Sequence, residues 1–324
     1  MIAALPVGVI GVGALGQHHA RHLSSLPEVR LVGVHDADAG RADKIAEGLG
    51  TRAFREMDDL LALVEAVTVA VPTPAHAEVG LCALNRKVPV LMEKPLASTL
   101  AEADDLIAAA RRHQVQLQVG HIERYNRALR AAEVYLDGPR YIESLRLAPF
   151  QPRGTDVAVV LDLMIHDLDL VLHLTGSVAT EVRASGLPVL SPHLDIANAR
   201  VEFANGAVAL ATASRVARDR VRRLRLFQPN GYLSLDMATG AGEFMRLREG
   251  WQPGTGRELS DVVERIVLEA PEADALSLEL QSFVHAVRGQ REVVVRGEEG
   301  RAALELALRV ADAVRTPPLA VATH

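Results

Sequence analysis

The chain has 324 residues, enough for two domains that each bury a core. It is 49% apolar, 23% charged and 3% aromatic, the profile of an ordinary globular protein, and carries a net charge of −6 from 35 basic and 41 acidic residues. That balance argues against a nucleic-acid-binding surface, and a single cysteine, Cys82, excludes a disulfide framework and a cysteine-based zinc site, so no metal is expected. No uninterrupted apolar stretch is long enough to span a bilayer and no Lys or Arg precedes Arg21, so neither an anchor nor a signal peptide is expected, and a cytoplasmic location is.

Two periods alternate through the first part of the chain. Val7–Val12 reads as a buried strand and Ala14–Leu26 as a helix. Val29–His35 is a strand and Ala39–Leu49 a helix; Ala66–Val71 is a strand and Ala75–Arg86 a helix. Val88–Met92 is a strand, Leu100–His113 a helix and Val115–Gly120 a last strand. Strands joined by helical crossovers make a doubly wound parallel sheet, an α/β Rossmann architecture over residues 1–121. Ser98-Thr99 with Glu102 in the first turn marks a helix start.

Gly11-Val12-Gly13-Ala14-Leu15-Gly16 joins the first strand to the first helix. Gly11 permits the tight turn, Gly13 lets the backbone approach a pyrophosphate, and Gly16 lets helix and strand pack closely. Asp36, at the end of the second strand, suits ribose hydroxyls and repels a 2′-phosphate, which favours NAD; Arg41 nearby leaves NADP open. Glu93-Lys94-Pro95 follows a later strand, at the sheet edge where ligands bind. His18, His19 and His22 cluster on the first helix and read as packing or solvated residues rather than metal ligands.

Beyond residue 121 the pattern changes, and residues 122–324 read as one α+β domain with a large, mostly antiparallel sheet. Val159–Leu174 is apolar at helical spacing. Thr180–Leu187, Ala197–Phe203, Ala207–Ser214, Val221–Phe227, Tyr232–Asp236 and Glu243–Leu247 alternate as strands, with Asn205-Gly206 and Asn230-Gly231 as hairpin turns. Trp251–Asp261 reads as a loop, and helices near Ala275–Arg288 and Glu298–Val314 close the chain.

The order Gly11–Gly16, Asp36, Pro72-Thr73-Pro74, Glu93-Lys94-Pro95 and Asp162-Leu163-Met164-Ile165-His166-Asp167 resembles the Gfo/Idh/MocA oxidoreductases along essentially the whole chain. The resemblance implies cofactor contacts from Ala14, Leu15, Pro72, Thr73, His76, Glu93 and Lys94 as well as the glycines and Asp36. It also implies a cis Lys94–Pro95 peptide, and a Lys94 and His166 that face the reacting carbon. Chemistry agrees: oxidising a secondary alcohol needs hydride loss and proton loss, and a histidine of near-neutral pKa suits the proton. Asp162, four residues before His166, shares its helix face and can hold the imidazole. Lys94 can stabilise negative charge on the carbinol oxygen or itself act as the base. Each has a structural alternative: a surface lysine, a packed core histidine, a capping aspartate.

His121-Ile122-Glu123-Arg124-Tyr125-Asn126, Phe150-Gln151-Pro152-Arg153-Gly154-Thr155-Asp156 and the Asp162–His166 motif look like the branch that oxidises C3 of UDP-N-acetylglucosamine ahead of an aminotransferase, toward amide-linked lipid A. In that reading His121, Arg124, Tyr125, Arg153 and Arg215 join Lys94, Asp162 and His166 around the substrate, with arginines on its diphosphate and Tyr125 or Phe150 against uracil. The run Arg218–Arg225 reads instead as a solvated strand face. Other outcomes keep the fold: a dehydrogenase of a free sugar or cyclitol, an NAD-dependent glycosidase that retains its cofactor, or a non-enzymatic NAD-binding sensor. A broad antiparallel sheet with only two late helices to cover it implies a homodimer or homotetramer.

Overall fold

The computed structural model describes residues 3–151, 157–251 and 258–314. The chain divides into two compact units, Met1–Tyr125 with Ala273–Leu304, and Asn126–Glu272 with Glu305–His324.

In the first unit, β1 (Leu5–Ile10), β2 (Val29–His35), β3 (Arg52–Phe54), β4 (Ala66–Val69), β5 (Val90–Glu93) and β6 (Leu117–Gly120) form one parallel sheet in the order β3-β2-β1-β4-β5-β6. The crossovers are α1 (Gly16–Ser25), α2 (Ala39–Leu49), α3 (Met57–Leu61), α4 (His76–Asn85) and α5 (Leu100–His113). The strands are near-continuous apolar runs because helices cover both faces of a doubly wound sheet. The helix start at Thr99 forms a capping box: its hydroxyl accepts from the Glu102 N–H at 3.2 Å, and the Glu102 carboxylate accepts from the Thr99 N–H at 3.0 Å.

The second unit holds α6 (Arg127–Ala132), β7 (Tyr141–Leu147) and α7 (Ile165–Thr175). These are followed by β8 (Ala179–Leu187), β9 (Ile196–Phe203), β10 (Val208–Ser214), β11 (Val221–Gln228), β12 (Gly231–Asp236), β13 (Ala241–Leu247), α8 (Leu259–Val262) and β14 (Val263–Leu268). Its sheet runs β14-β13-β12-β11-β7-β10-β9-β8, antiparallel except where β7 lies parallel to β10. Both Asn-Gly dipeptides turn hairpins, β9–β10 and β11–β12. Strand β7 sits mid-sheet yet escaped the sequence reading, because its inward positions alternate Ile142 with the buried polar Ser144 and Arg146. Of the expected Trp251–Asp261 loop, 252–257 lie outside the described residues, and Leu259–Asp261 belong instead to α8, with β14 directly after it.

One face of this sheet buries Ile142, Ala209, Ala211, Leu224 and Leu226, and α7 packs against it at β7 and β10. The other carries an aromatic cluster. Phe227 stacks on Tyr232 with ring centres 5.2 Å apart and meets Tyr141 edge-on at 5.8 Å, while Val267 is 61% exposed.

A single boundary after residue 121 does not describe the chain, because α9 (Ala275–Val287) and the start of α10 (Gly297–Ala313) return to the first unit. Leu276, Leu280, Phe283 and Val284 form one apolar stripe on α9 and join Ala20 and Leu23 of α1 in the same core cluster. Helical periodicity shows that such a stripe is buried; it does not say against which element.

Candidate active site

The glycine-rich turn is built as its spacing requires. Gly11 has a φ of 83°, and a Cβ at Gly16 would sit 1.8 Å from the Gly11 carbonyl oxygen. A Cβ at Gly13 would meet nothing nearer than Nη1 of Arg41, at 4.0 Å. The backbone before α1 is therefore open to a ligand, at a helix end whose N–H groups favour an anion. Ala14 and Leu15 lie in this turn, and the Leu15 carbonyl accepts from the His18 and His19 N–H groups. Asp36 fixes the turn to the end of β2. Its carboxylate accepts from the Val12 N–H at 2.8 Å, the Asp38 N–H at 2.8 Å and Nη1 of Arg41 at 3.2 Å. These residues fit a dinucleotide, with Asp36 placed for the ribose and Arg41 beside it.

Glu93, at the end of β5, is buried. Oε2 accepts from the Lys94 N–H at 3.2 Å, and Oε1 lies 3.0 Å from Nε2 of His19, which is 0% exposed on α1. Sequence reasoning missed His19: three histidines on one helix look interchangeable until α1 is laid against β5. Lys94 is half-buried and its peptide bond to Pro95 is cis, as the family pattern implies.

Pro72 and Thr73 lead through a 3-10 turn into His76. That ring is buried and lies between two carbonyls, Nδ1 2.9 Å from Pro95 O and Nε2 3.0 Å from Val71 O. Burial pushes its pKa down and outweighs the two carbonyls and Glu93, which pull it up. His76 thus straps the end of β4 to the turn that carries Lys94.

The segment after β6 turns inward. His121, Glu123, Arg124 and Tyr125 are all buried. The Tyr125 hydroxyl accepts from Nε2 of Gln118 at 3.4 Å, and burial pushes its pKa up. Arg124 lies 3.5 Å from Glu299 of α10. These two side chains, expected at the substrate, are engaged within the first unit. The returning helices that engage them are distant in sequence. Phe150 is 40% exposed, and Arg153 lies outside the described residues.

Asp162 and His166 sit where the helix opens. Val160–Met164 forms a π-helical turn, in which the Ile165 N–H reaches back to Val160 O, and α7 follows with His166 half-buried in its first turn. Widened turns of this kind recur at functional sites. Beside them Arg146 of β7 makes a two-pronged pair with Asp167, Nε to Oδ2 at 2.6 Å and Nη2 to Oδ1 at 3.0 Å. Arg215, past the end of β10, donates from Nη2 to Val157 O at 2.7 Å, and its Nε lies 3.8 Å from the buried Asp195. Oδ2 of Asp195 accepts from three successive N–H groups, Val189, Leu190 and Ser191, at 2.8, 2.6 and 2.8 Å.

A cavity of about 180 Å³ within the second unit is lined by Asp162, Gln151, Arg146, Arg215, Arg220 and Arg222, among others. The expectation of a solvated face for the whole arginine run is therefore corrected. Arg223 and Arg225 do lie on the open face of the sheet, beside Glu143 and Thr212, but Arg220 and Arg222 line the cavity.

A family model described as an NAD-binding Rossmann-fold oxidoreductase family matches residues 5–121, and one described as a GFO/IDH/MocA C-terminal domain matches 132–234. UDP-N-acetylglucosamine 3-dehydrogenase of Acidithiobacillus ferrooxidans is 39% identical over 95% of this chain and 96% of its own. A solved structure of that enzyme superposes with a TM-score of 0.90 at 39% identity, covering 97% of this chain and 98% of the other. Myo-inositol 2-dehydrogenase of Thermotoga maritima is 26% identical over 93% of both chains. With the open glycine turn before α1, these matches make the chain a Gfo/Idh/MocA oxidoreductase whose first unit binds NAD.

Proposed function

We propose that this protein oxidises the C3 hydroxyl of UDP-N-acetylglucosamine to the 3-keto sugar. The observation that carries the reading is the second-unit cavity that brings Asp162 together with several guanidinium groups, a pairing suited to a sugar bearing phosphate. The activity named for the Acidithiobacillus relative supports the same substrate.

Gly11, Gly13 and Gly16 would hold the pyrophosphate of NAD and Asp36 its adenosine ribose, and the bound cofactor would supply the acceptor for the hydride of the carbinol carbon. His166 takes the hydroxyl proton, and Asp162, on the preceding turn, stabilises the imidazolium that results. Lys94 donates to the carbinol oxygen and stabilises the negative charge that develops as the proton leaves. Glu93 and His76 act through Lys94: one accepts its backbone N–H, the other anchors the carbonyl of Pro95.

A ketone at C3 is ready for an aminotransferase, which fits a place before amide-linked lipid A. NAD and nucleotide sugars are cytoplasmic metabolites, which supports that location. The aromatic cluster around Phe227 and the exposed Val267 support pairing of the open sheet face with another copy of the chain, as a dimer or tetramer. The test of the activity is incubation with NAD and a panel of nucleotide and free sugars, following NADH absorbance and product mass. NADH formation with a two-hydrogen mass loss from UDP-N-acetylglucosamine is expected. Turnover confined to free sugars or cyclitols would overturn the substrate.

A further inference from the structure

We infer that Arg220 and Arg222, together with Arg146 and Arg215, form the subsite for the diphosphate of a nucleotide sugar; this rests on the nucleotide-sugar reading above. Successive side chains of a strand point to opposite faces. On β11, Leu224 and Leu226 are buried on the inner face, and Arg223 and Arg225 lie on the open one. The even-numbered Arg222 shares the inner side with the two leucines, while Arg220, exposed and just before the strand, lines the same cavity.

Register then brings like charges together. β11 runs antiparallel to β7 with Arg222 directly opposite Arg146, and Leu224 opposite Ser144. Side chains so placed have Cβ atoms about 5 Å apart, and like charges there destabilise a sheet. Asp167 closes on Arg146 with two hydrogen bonds. Oδ1 of Asp195 lies 3.8 Å from Nε of Arg215, while its Oδ2 accepts from three backbone N–H groups that hold the carboxylate in place. Asp167 and Asp195 thus orient Arg146 and Arg215, and the cavity lining includes Arg146, Arg215, Arg220 and Arg222 together with Asp162.

A lining with four guanidinium groups suits a multivalent anion. A diphosphate offers two charges and several acceptor oxygens to planar, two-pronged donors. The NAD pyrophosphate is accounted for by the glycine turn of the first unit, so the anion belongs to the substrate. Asp162 at the same cavity places the sugar next to that anion.

The experiment is calorimetric titration of UDP into the full-length protein saturated with NAD, alongside UDP-N-acetylglucosamine kinetics. The unmodified protein is expected to bind UDP. Arg220→Ala and Arg222→Ala should each weaken UDP about tenfold or more and raise KM for the UDP-sugar, with kcat largely kept. Arg223→Ala, on the other face of the same strand, should change neither. UDP binding equal to that of the unmodified protein in the Arg220 and Arg222 variants overturns the subsite while leaving the nucleotide-sugar reading intact. An unmodified protein that neither binds UDP nor turns over a UDP-sugar overturns both.

Discussion

Arg146 and Asp167 form a buried, two-pronged ion pair between the middle strand of the second sheet and the first turn of α7, immediately beside His166. Removing one partner strands the other charge in the interior, which typically costs about 3–5 kcal/mol. Asp167→Ala should therefore lower the unfolding free energy measured by urea titration by that amount, and Arg146→Met should do nearly the same. The double variant Arg146→Met with Asp167→Leu should regain most of the lost stability, because neither charge is then left unpaired. Additive losses in the double variant would show that the two residues act independently.

Lys94→Ala and His166→Ala should each lower kcat by about a hundredfold or more with NAD affinity nearly unchanged, since proton transfer and oxyanion stabilisation are each worth that much. Asp162→Asn should cost less, because it acts through His166. Stopped-flow hydride transfer and NAD fluorescence titration separate the two quantities, and near-normal turnover in either alanine variant would remove that residue from the chemistry.

Asp36 holds the glycine turn, and in the proposed function it also binds the ribose. The unmodified protein should prefer NAD to NADP. Asp36→Ala should weaken NAD and narrow that preference, because Arg41, which now bonds Asp36, becomes available to a 2′-phosphate. Tighter binding of NADP than NAD by the unmodified protein would contradict this.

Asp195 sets an acid limit on the second unit. Burial raises its pKa, but the Ser191 hydroxyl and the N–H groups of Val189, Leu190 and Ser191 outweigh that and hold it at about 2. The folded value lies below the ordinary 3.8, so the unfolded chain binds the extra proton first on acidification. The contribution is complete above 3.8 and is lost as pH falls toward about 2. Asp195→Asn should lower stability near neutrality and flatten the pH dependence of the urea midpoint in that window. An unchanged acid profile would count against the assignment.

The open face of the second sheet, with Phe227 at its aromatic centre, should be covered in solution. Size-exclusion chromatography with light scattering should report a dimer or tetramer of the 34.9 kDa chain, and Phe227→Glu should shift it toward monomer. A monomeric unmodified protein at micromolar concentration would end this proposal.

Much of the first unit was legible from local pattern. Parallel strands buried on both faces are continuous apolar runs, crossovers carry helical period and caps, and Gly11–Gly16, Asp36 and Glu93-Lys94-Pro95 fall at strand ends. All of that is encoded within a few residues of where it acts, as are Asp162 and His166 on one stretch of helix. Contacts between distant segments were not legible. The pairing of His19 with Glu93, the strap from His76 to Pro95 O, and the return of α9 onto α1 depend on which faces meet after folding. The pairing of Arg124 with Glu299 was hidden in the same way, because Glu299 arrives from the far end of the chain. The arginine run shows the division most plainly. Alternation alone says that neighbours point opposite ways, whereas the register of β11 on β7 decides that Arg222 stands opposite Arg146 and at the cavity that Asp162 lines.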